Sequence, residues 1–201
     1  MVAIPDYNYL SPEEYLALEA ESPVKHEYID GEVYAIAGAT DTHVTIALNL
    51  AIALRSHLRG SGCRVYIADL KVRLRHTIKD RFYYPDLVVT CDLRDRETPT
   101  YKQFPKAIVE VLSDSTEGFD RGDKFADYRN FDSLQEYVLV STKQPRIDIF
   151  RRSGEHWTFQ SYALENETFA LPSLDFKGAI ASVYEDITFE SSSTREAESN
   201  D

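Results

Sequence analysis

Apolar and polar positions change period several times along the chain, and each change marks an element. SPEEYLALEAE opens with Ser11 before Pro12, and Glu14 follows three residues after the serine. That spacing is a capping box with proline at the first helical position, so a helix starts there. VKHEYIDGEVYAIAG sets two strand-like runs around Asp30-Gly31, a favoured hairpin turn. Between Thr42 and Leu58, apolar residues recur at helical spacing (Val44, Ala47, Leu48, Ala51, Leu54, Leu58), with Ile46, Leu50 and Ala53 alongside. The pattern predicts a helix buried over much of its circumference and closed by Gly60 and Gly62.

In CRVYIADLKVRLRH the period drops to two. Tyr66, Ala68, Leu70, Val72 and Leu74 share one face, and Asp69, Lys71, Arg73 and Arg75 share the other. After a turn around Asp80, residues 83–91 (YYPDLVVTC) and 105–113 (PKAIVEVLS) are apolar on both faces, as central strands are. A short helix over 120–130 and a strand over 134–141 follow. RIDIFRR and HWTFQSYAL then flank a Ser-Gly-Glu turn, and LPSLDFKGAIASVYE closes the core. The aromatics Trp157, Phe159 and Tyr162 read as core. The order predicts an α/β or α+β fold, a mixed central sheet flanked by helices with a helix–hairpin at the N-terminus. One domain is expected over 1–189, and the polar residues 190–201 are expected to be a disordered acidic tail.

Charge complicates the choice of partner. The chain has 201 residues and a net charge of −12, which argues against a polyanion. Its distribution is uneven. Residues 1–32 carry net −7 and residues 185–201 net −5, so the chain between them is neutral. Within it, Arg55, Arg59, Arg64, Lys71, Arg73, Arg75, Lys79 and Arg81 face only Asp69 and Asp80 between positions 55 and 81. This segment reads either as a solvated face or as a phosphate-binding one, with Lys71, Arg73 and Arg75 the candidates to track a phosphate backbone. The N-terminus lacks the pattern of a signal peptide, and no stretch approaches the roughly 18 apolar residues of a membrane span. Cys63 and Cys91 lack metal-ligand or redox spacing, so a reduced, cytoplasmic chain without zinc is expected.

Two acids sit in the apolar strands. Asp86 shares its face with Tyr84 and Val88, and Glu110 shares its face with Ile108 and Leu112. Each alone is explained by an arginine partner or a backbone cap. Together they repel one another unless a proton or a cation intervenes, and paired carboxylates on neighbouring strands suit Mg²⁺.

These residues carry a resemblance. HEYIDGEV at 26–33, the His-led helix at 43–58, YPDLVV at 84–89, IVEVLS at 108–113 and DRGDKFADYR at 120–129 occur in the order of the Uma-two family of restriction-endonuclease-like proteins, within the PD-(D/E)XK nuclease superfamily. The resemblance covers roughly residues 10 to 188. It implies a metal-dependent endonuclease acting on DNA more than RNA, with Mg²⁺ or, in substitution, Mn²⁺ held by Asp86, Glu110, the Val111 carbonyl and Glu27. The superfamily's lysine two residues after the strand glutamate is replaced by Leu112, and Lys124 on the next helix matches the family instead. The positive end of that helix and the Lys124 ammonium would face an attacking water or a phosphate; the plainer reading is an exposed Asp120–Lys124 pair. His43, expected neutral at a helix N-terminus, and Tyr128, one turn beyond Lys124, are lesser candidates. A homodimer is expected, since no separate recognition domain is visible. The competing reading keeps the fold without the chemistry, as a nucleic-acid-binding or protein-interaction module.

Overall fold

The computed structural model describes residues 9–76 and 79–189, so the expected tail at 190–201 lies outside the described residues. Helix α1 (Pro12–Glu21) starts at the Ser11–Glu14 capping box. Strands β1 (His26–Ile29) and β2 (Glu32–Ala35) pair across Asp30 and Gly31, both at positive φ, as a tight two-residue hairpin requires. Helix α2 (Asp41–His57) is capped by Thr40, whose side chain accepts the His43 N–H.

The alternating run at 64–75 is not one strand. It divides into β3 (Arg64–Ile67) and β4 (Lys71–His76), which belong to different sheets. Ala68 turns the chain at φ 51°, and its N–H donates to the Asp86 carbonyl at 3.0 Å. The alternation nevertheless persists through the break, since Tyr66, Leu70, Val72 and Leu74 all pack into one core. Asp80, where a turn was expected, lies inside β5 (Lys79–Tyr83), antiparallel to β4. The strand expected over 83–91 is also divided. Tyr83 ends β5, and β6 (Leu87–Thr90) begins only after Pro85, which has no N–H to give a ladder. Asp86 therefore stands at the mouth of a strand and not within it.

Strand β7 (Tyr101–Lys102) runs beside β4, and β8 (Pro105–Leu112) lies next to β6. Helices α3 (Glu117–Arg121) and α4 (Asp123–Tyr128) replace the single helix expected over 120–130, with Gly122 between them. Strands β9 (Glu136–Ser141), β10 (Arg146–Ser153) and β11 (His156–Ala163) follow. Strands β12 (Thr168–Leu171) and β13 (Phe176–Ala179) form a small pair, and α5 (Ile180–Val183) ends the described core.

Two larger sheets result, one ordered β2-β1-β5-β4-β7 and one ordered β11-β10-β9-β8-β6-β3. The second is mixed, because β8 and β9 are parallel. One of its faces packs Leu87, Val109, Val111 and Val138 against Ile46, Leu50 and Leu54 of α2. The other packs Val88, Ile108, Tyr137 and Leu139 against Tyr128 of α4 and against Val72, Leu74 and Tyr83 of the first sheet. Each such fully buried side chain contributes about 1.5–3 kcal/mol relative to exposure. Tyr15 of α1 joins Tyr28, Val33 and Phe82 on the far face of the first sheet.

Three expectations about packing change. Val44, Leu48 and Ile52 form an exposed flank of α2, so that helix is buried on one side only. Phe159 is exposed, while Trp157 and Tyr162 do pack against the cores. Cys63 and Cys91, expected to be reduced, are joined to one another. The β3–β6 register pairs Arg64 with Thr90, which brings the next residue of each strand face to face in a disulfide. Among the described residues no helix is long and apolar enough to cross a membrane.

Candidate active site

The ends of β6 and β8, the hairpin strand β1 and the helices α2, α3 and α4 meet at one point. Asp86 is fixed first. Its Oδ2 accepts the Val111 N–H at 2.7 Å, and its Oδ1 lies 2.8 Å from His43 Nε2. Val111 thus contributes its amide N–H to Asp86, a contact the sequence reading did not foresee. Glu110 points toward the α4 side of the sheet, as its position between Ile108 and Leu112 dictates. Its Oε1 accepts from Tyr128 Oη and Lys124 Nζ, each at 3.0 Å, and its Oε2 is 3.4 Å from the Asp86 amide nitrogen. The two strand acids are therefore neighbours.

Lys124 is the hub. Its ammonium lies 3.0 Å from Glu27 Oε1, 3.0 Å from Glu110 Oε1 and 3.5 Å from Asp120 Oδ1, with the rings of Tyr83 and Tyr128 beside it. Glu27 is held from the other side by the Tyr84 N–H at 3.2 Å. Asp120 was read only as one end of a surface pair, yet it is buried with Lys124. The i,i+4 spacing was visible in the sequence; its burial under Tyr137, which donates to the Asp120 carbonyl, was not. The cluster is driest at Asp120 and Glu110 and most open at the side chains of Asp86 (24 % exposed) and His43 (16 %).

Charge does not balance in this pocket. Asp86, Glu110, Glu27 and Asp120 face Lys124 and His43. Burial pushes the Glu110 carboxyl well above the usual range; Lys124 opposes the shift, while Asp120, Asp86 and Glu27 add to it. Asp120 is raised by burial too, against Lys124 and a hydrogen bond from Thr116. For Lys124, burial favours the neutral amine, but the charges of Glu110, Glu27 and Asp120 prevail and hold it protonated. Burial likewise pulls the His43 imidazole down. The hydrogen bond and charge of Asp86, with Asp120 behind them, outweigh it and raise His43. The helix N-terminus expected to keep His43 neutral does not decide its state.

The basic strand face does not form. Lys71 is buried and donates to Tyr84 Oη at 2.9 Å. Arg73 is buried in a bidentate pair with Asp80, and Arg75 alone is exposed. The first sheet is covered by α1, so the polar face of β4 turns into a second interior.

The family model described as "Putative restriction endonuclease", Uma2, matches residues 12–183. The chain belongs to the Uma2 family. The matched region of this Uma2 chain contains every residue of the cluster. Two proteins of Synechocystis sp. are similar along nearly their whole length. One, slr1290, is 37% identical over 181 residues, covering 90% of this chain and 94% of its own. The other, sll1609, is 29% identical over 170 residues, covering 83% and 94%. Among solved structures, a crystal structure of a putative nuclease belonging to DUF820 from Anabaena variabilis superposes with a TM-score of 0.70 at 16% identity. That match covers 85% of this chain and 95% of the other. At that identity the likeness is one of fold.

Among the described residues no three or more His, Cys, Asp or Glu side chains converge on a single cation position, since Lys124 occupies the middle of the carboxylates. The donor chemistry still fits a hard divalent cation. The carboxylate donors are all oxygens, they outnumber the ammonium, and the open Asp86 adjoins the buried Glu110.

Proposed function

We propose that this Uma2 protein is an endonuclease that hydrolyses phosphodiester bonds in DNA with Mg²⁺, or Mn²⁺ in its place. The observation that carries the reading is the surplus of carboxylates at the touching ends of β6 and β8, with one buried lysine among them. Asp86 and Glu110 would hold the metal, with Glu27 direct or through water. When bound, the metal supplies Lewis acidity toward the phosphoryl oxygens and a more acidic water.

The chain's own groups do the rest. Lys124 offers N–H donors to an anionic oxygen once a carboxylate turns toward a cation. Tyr128 fixes the orientation of Glu110. Asp86 raises the His43 imidazole, and its Nε2 can pass a proton to a departing oxygen. A homodimer would supply the paired contacts that one chain without a recognition domain lacks.

Two observations favour the non-catalytic alternative: the Lys124 ammonium is already held by three carboxylates, and Leu112 stands where the superfamily has its lysine. Plasmid cleavage separates the two. The wild type should nick or linearise supercoiled DNA with Mg²⁺ or Mn²⁺, and Asp86→Asn should lose about a hundredfold or more of that rate, the order expected when a charge-stabilising group at the reacting centre is removed. Calorimetric titration of either metal should give heat with the wild type and little with the variant. Intact plasmid and no metal heat in the wild type would leave the fold without this chemistry.

A further inference from the structure

The basic segment at 55–81 divides sharply in the structure. Lys71, Arg73 and Arg81 are spent on Tyr84, Asp80, Asp30 and Asp127. Arg55, Arg59 and Arg64 are exposed, and among the described residues none has a side-chain hydrogen bond or ion pair. Arg55 and Arg64 line one shallow groove with Val65 and Tyr66, between the last turns of α2 and the edge strand β3. Arg96 is exposed nearby and reaches the Gly62 carbonyl.

Both walls of the groove lead back to the site. His43 lies in the first turn of α2, and Arg55 lies twelve residues further on, about 18 Å along the axis. Strand β3 leads into Ala68, whose N–H donates to the Asp86 carbonyl, and Arg64 lies roughly 13 Å back along the chain. At about 3.4 Å per base pair, 18 Å is a span of about five base pairs.

We infer that the α2–β3 groove, through Arg55 and Arg64, holds the phosphate backbone of duplex DNA about four to five base pairs from the bond at Asp86. This rests on the nuclease reading and locates its substrate. In a chain of net −12, unpaired arginines gathered beside a groove whose two flanking elements, α2 and β3, lead back to the acidic cluster give a polyanion a local footing. The guanidinium fork suits phosphate oxygens, and Tyr66 offers an aromatic wall.

The test is fluorescence anisotropy of the full chain with a labelled duplex of about 20 base pairs in EDTA, across a salt series. Arg55→Gln/Arg64→Gln should bind about tenfold more weakly or worse, and the salt slope should fall by about two. Both side chains are exposed and unpartnered, so its melting curve should match the wild type. Equal affinity and slope in wild type and variant would overturn the groove, as would absence of wild-type binding at low salt. Displacement by polyglutamate as effective as by duplex, charge for charge, would overturn DNA in favour of an acidic polypeptide. Plasmid cleavage is scored separately. A cleaving wild type with an unaffected double variant rejects the groove alone, and a weakened double variant with an inert wild type rejects the chemistry alone.

Discussion

Lys124 brings one positive charge into a pocket that holds the carboxylates of Glu27, Glu110 and Asp120, and its removal leaves all three without a counterion. Truncating one member of a buried ionic cluster costs about 3–5 kcal/mol, because the stranded charge pays its desolvation unaided. Lys124→Met keeps the length of the side chain and should lose that amount at neutral pH. The sign of the pH dependence follows from Glu110 and Asp120, both already raised in the folded protein. A raised carboxyl binds its proton more tightly folded than unfolded, so its contribution is most favourable in acid and declines as pH rises through the folded value. Without Lys124 both carboxyls rise further. The deficit of the variant should therefore shrink in mild acid and widen in mild alkali, as read by urea midpoints at the two extremes. A deficit independent of pH would mean that Lys124 supports the fold through packing alone. At this scale the acids were legible because a carboxylate interrupts an apolar alternation at Asp86 and Glu110. Asp120 was not, since its i,i+4 spacing to Lys124 looks the same on a surface helix as in a pocket.

Elements were legible wherever a local rule sufficed. The capping box at Ser11, the Asp30-Gly31 hairpin and the apolar run of β8 depend on neighbours within a few residues, and each appears where the pattern puts it. The misreadings fall where the chain passes between sheets. Alternation from Tyr66 to Leu74 is continuous in parity, yet Ala68 and Asp69 bend the chain from β3 into β4. Nothing in a period of two records which sheet a strand joins. Lys71 and Arg73 were misplaced for the same reason: their face is polar, but α1 covers the sheet to which it belongs. Ala68 tests this hinge. A non-glycine residue in the left-handed region costs about 1–2 kcal/mol, and glycine's added backbone freedom costs about 0.5–1 kcal/mol. Ala68→Gly should accordingly stabilise by up to about 1 kcal/mol, measured as a higher urea midpoint at unchanged slope, while the N–H to the Asp86 carbonyl is retained. A destabilised variant would show that the methyl group is packed and that the bend is not strained.

Across the whole molecule, the site depends on two sheets staying in contact. Glu27 comes from the five-stranded sheet, Glu110 and Asp86 from the end of the six-stranded one, and the core shared by Val72, Leu74 and Tyr83 with Val88, Ile108 and Leu139 holds them together. If that core couples the sheets, residues 9–189 unfold as one unit, and a cavity in the core weakens every element together. Leu139→Ala is the probe, because Leu139 is fully buried and none of its atoms belongs to the charged cluster. The loss should be about 2–5 kcal/mol, the range for emptying a leucine site. Cooperativity can be read from two signals. The single tryptophan, Trp157 on β11, packs against Phe125 and reports the six-stranded sheet, whereas far-ultraviolet circular dichroism reports both sheets. In wild type and variant alike the two transitions should coincide, shifted together to lower denaturant. Separated transitions, with the tryptophan signal moving later than the dichroism, would mean that the sheet carrying Glu27 melts first. Glu27 would then leave Lys124 in a partly unfolded state, and the cluster would be assembled only when the second sheet docks.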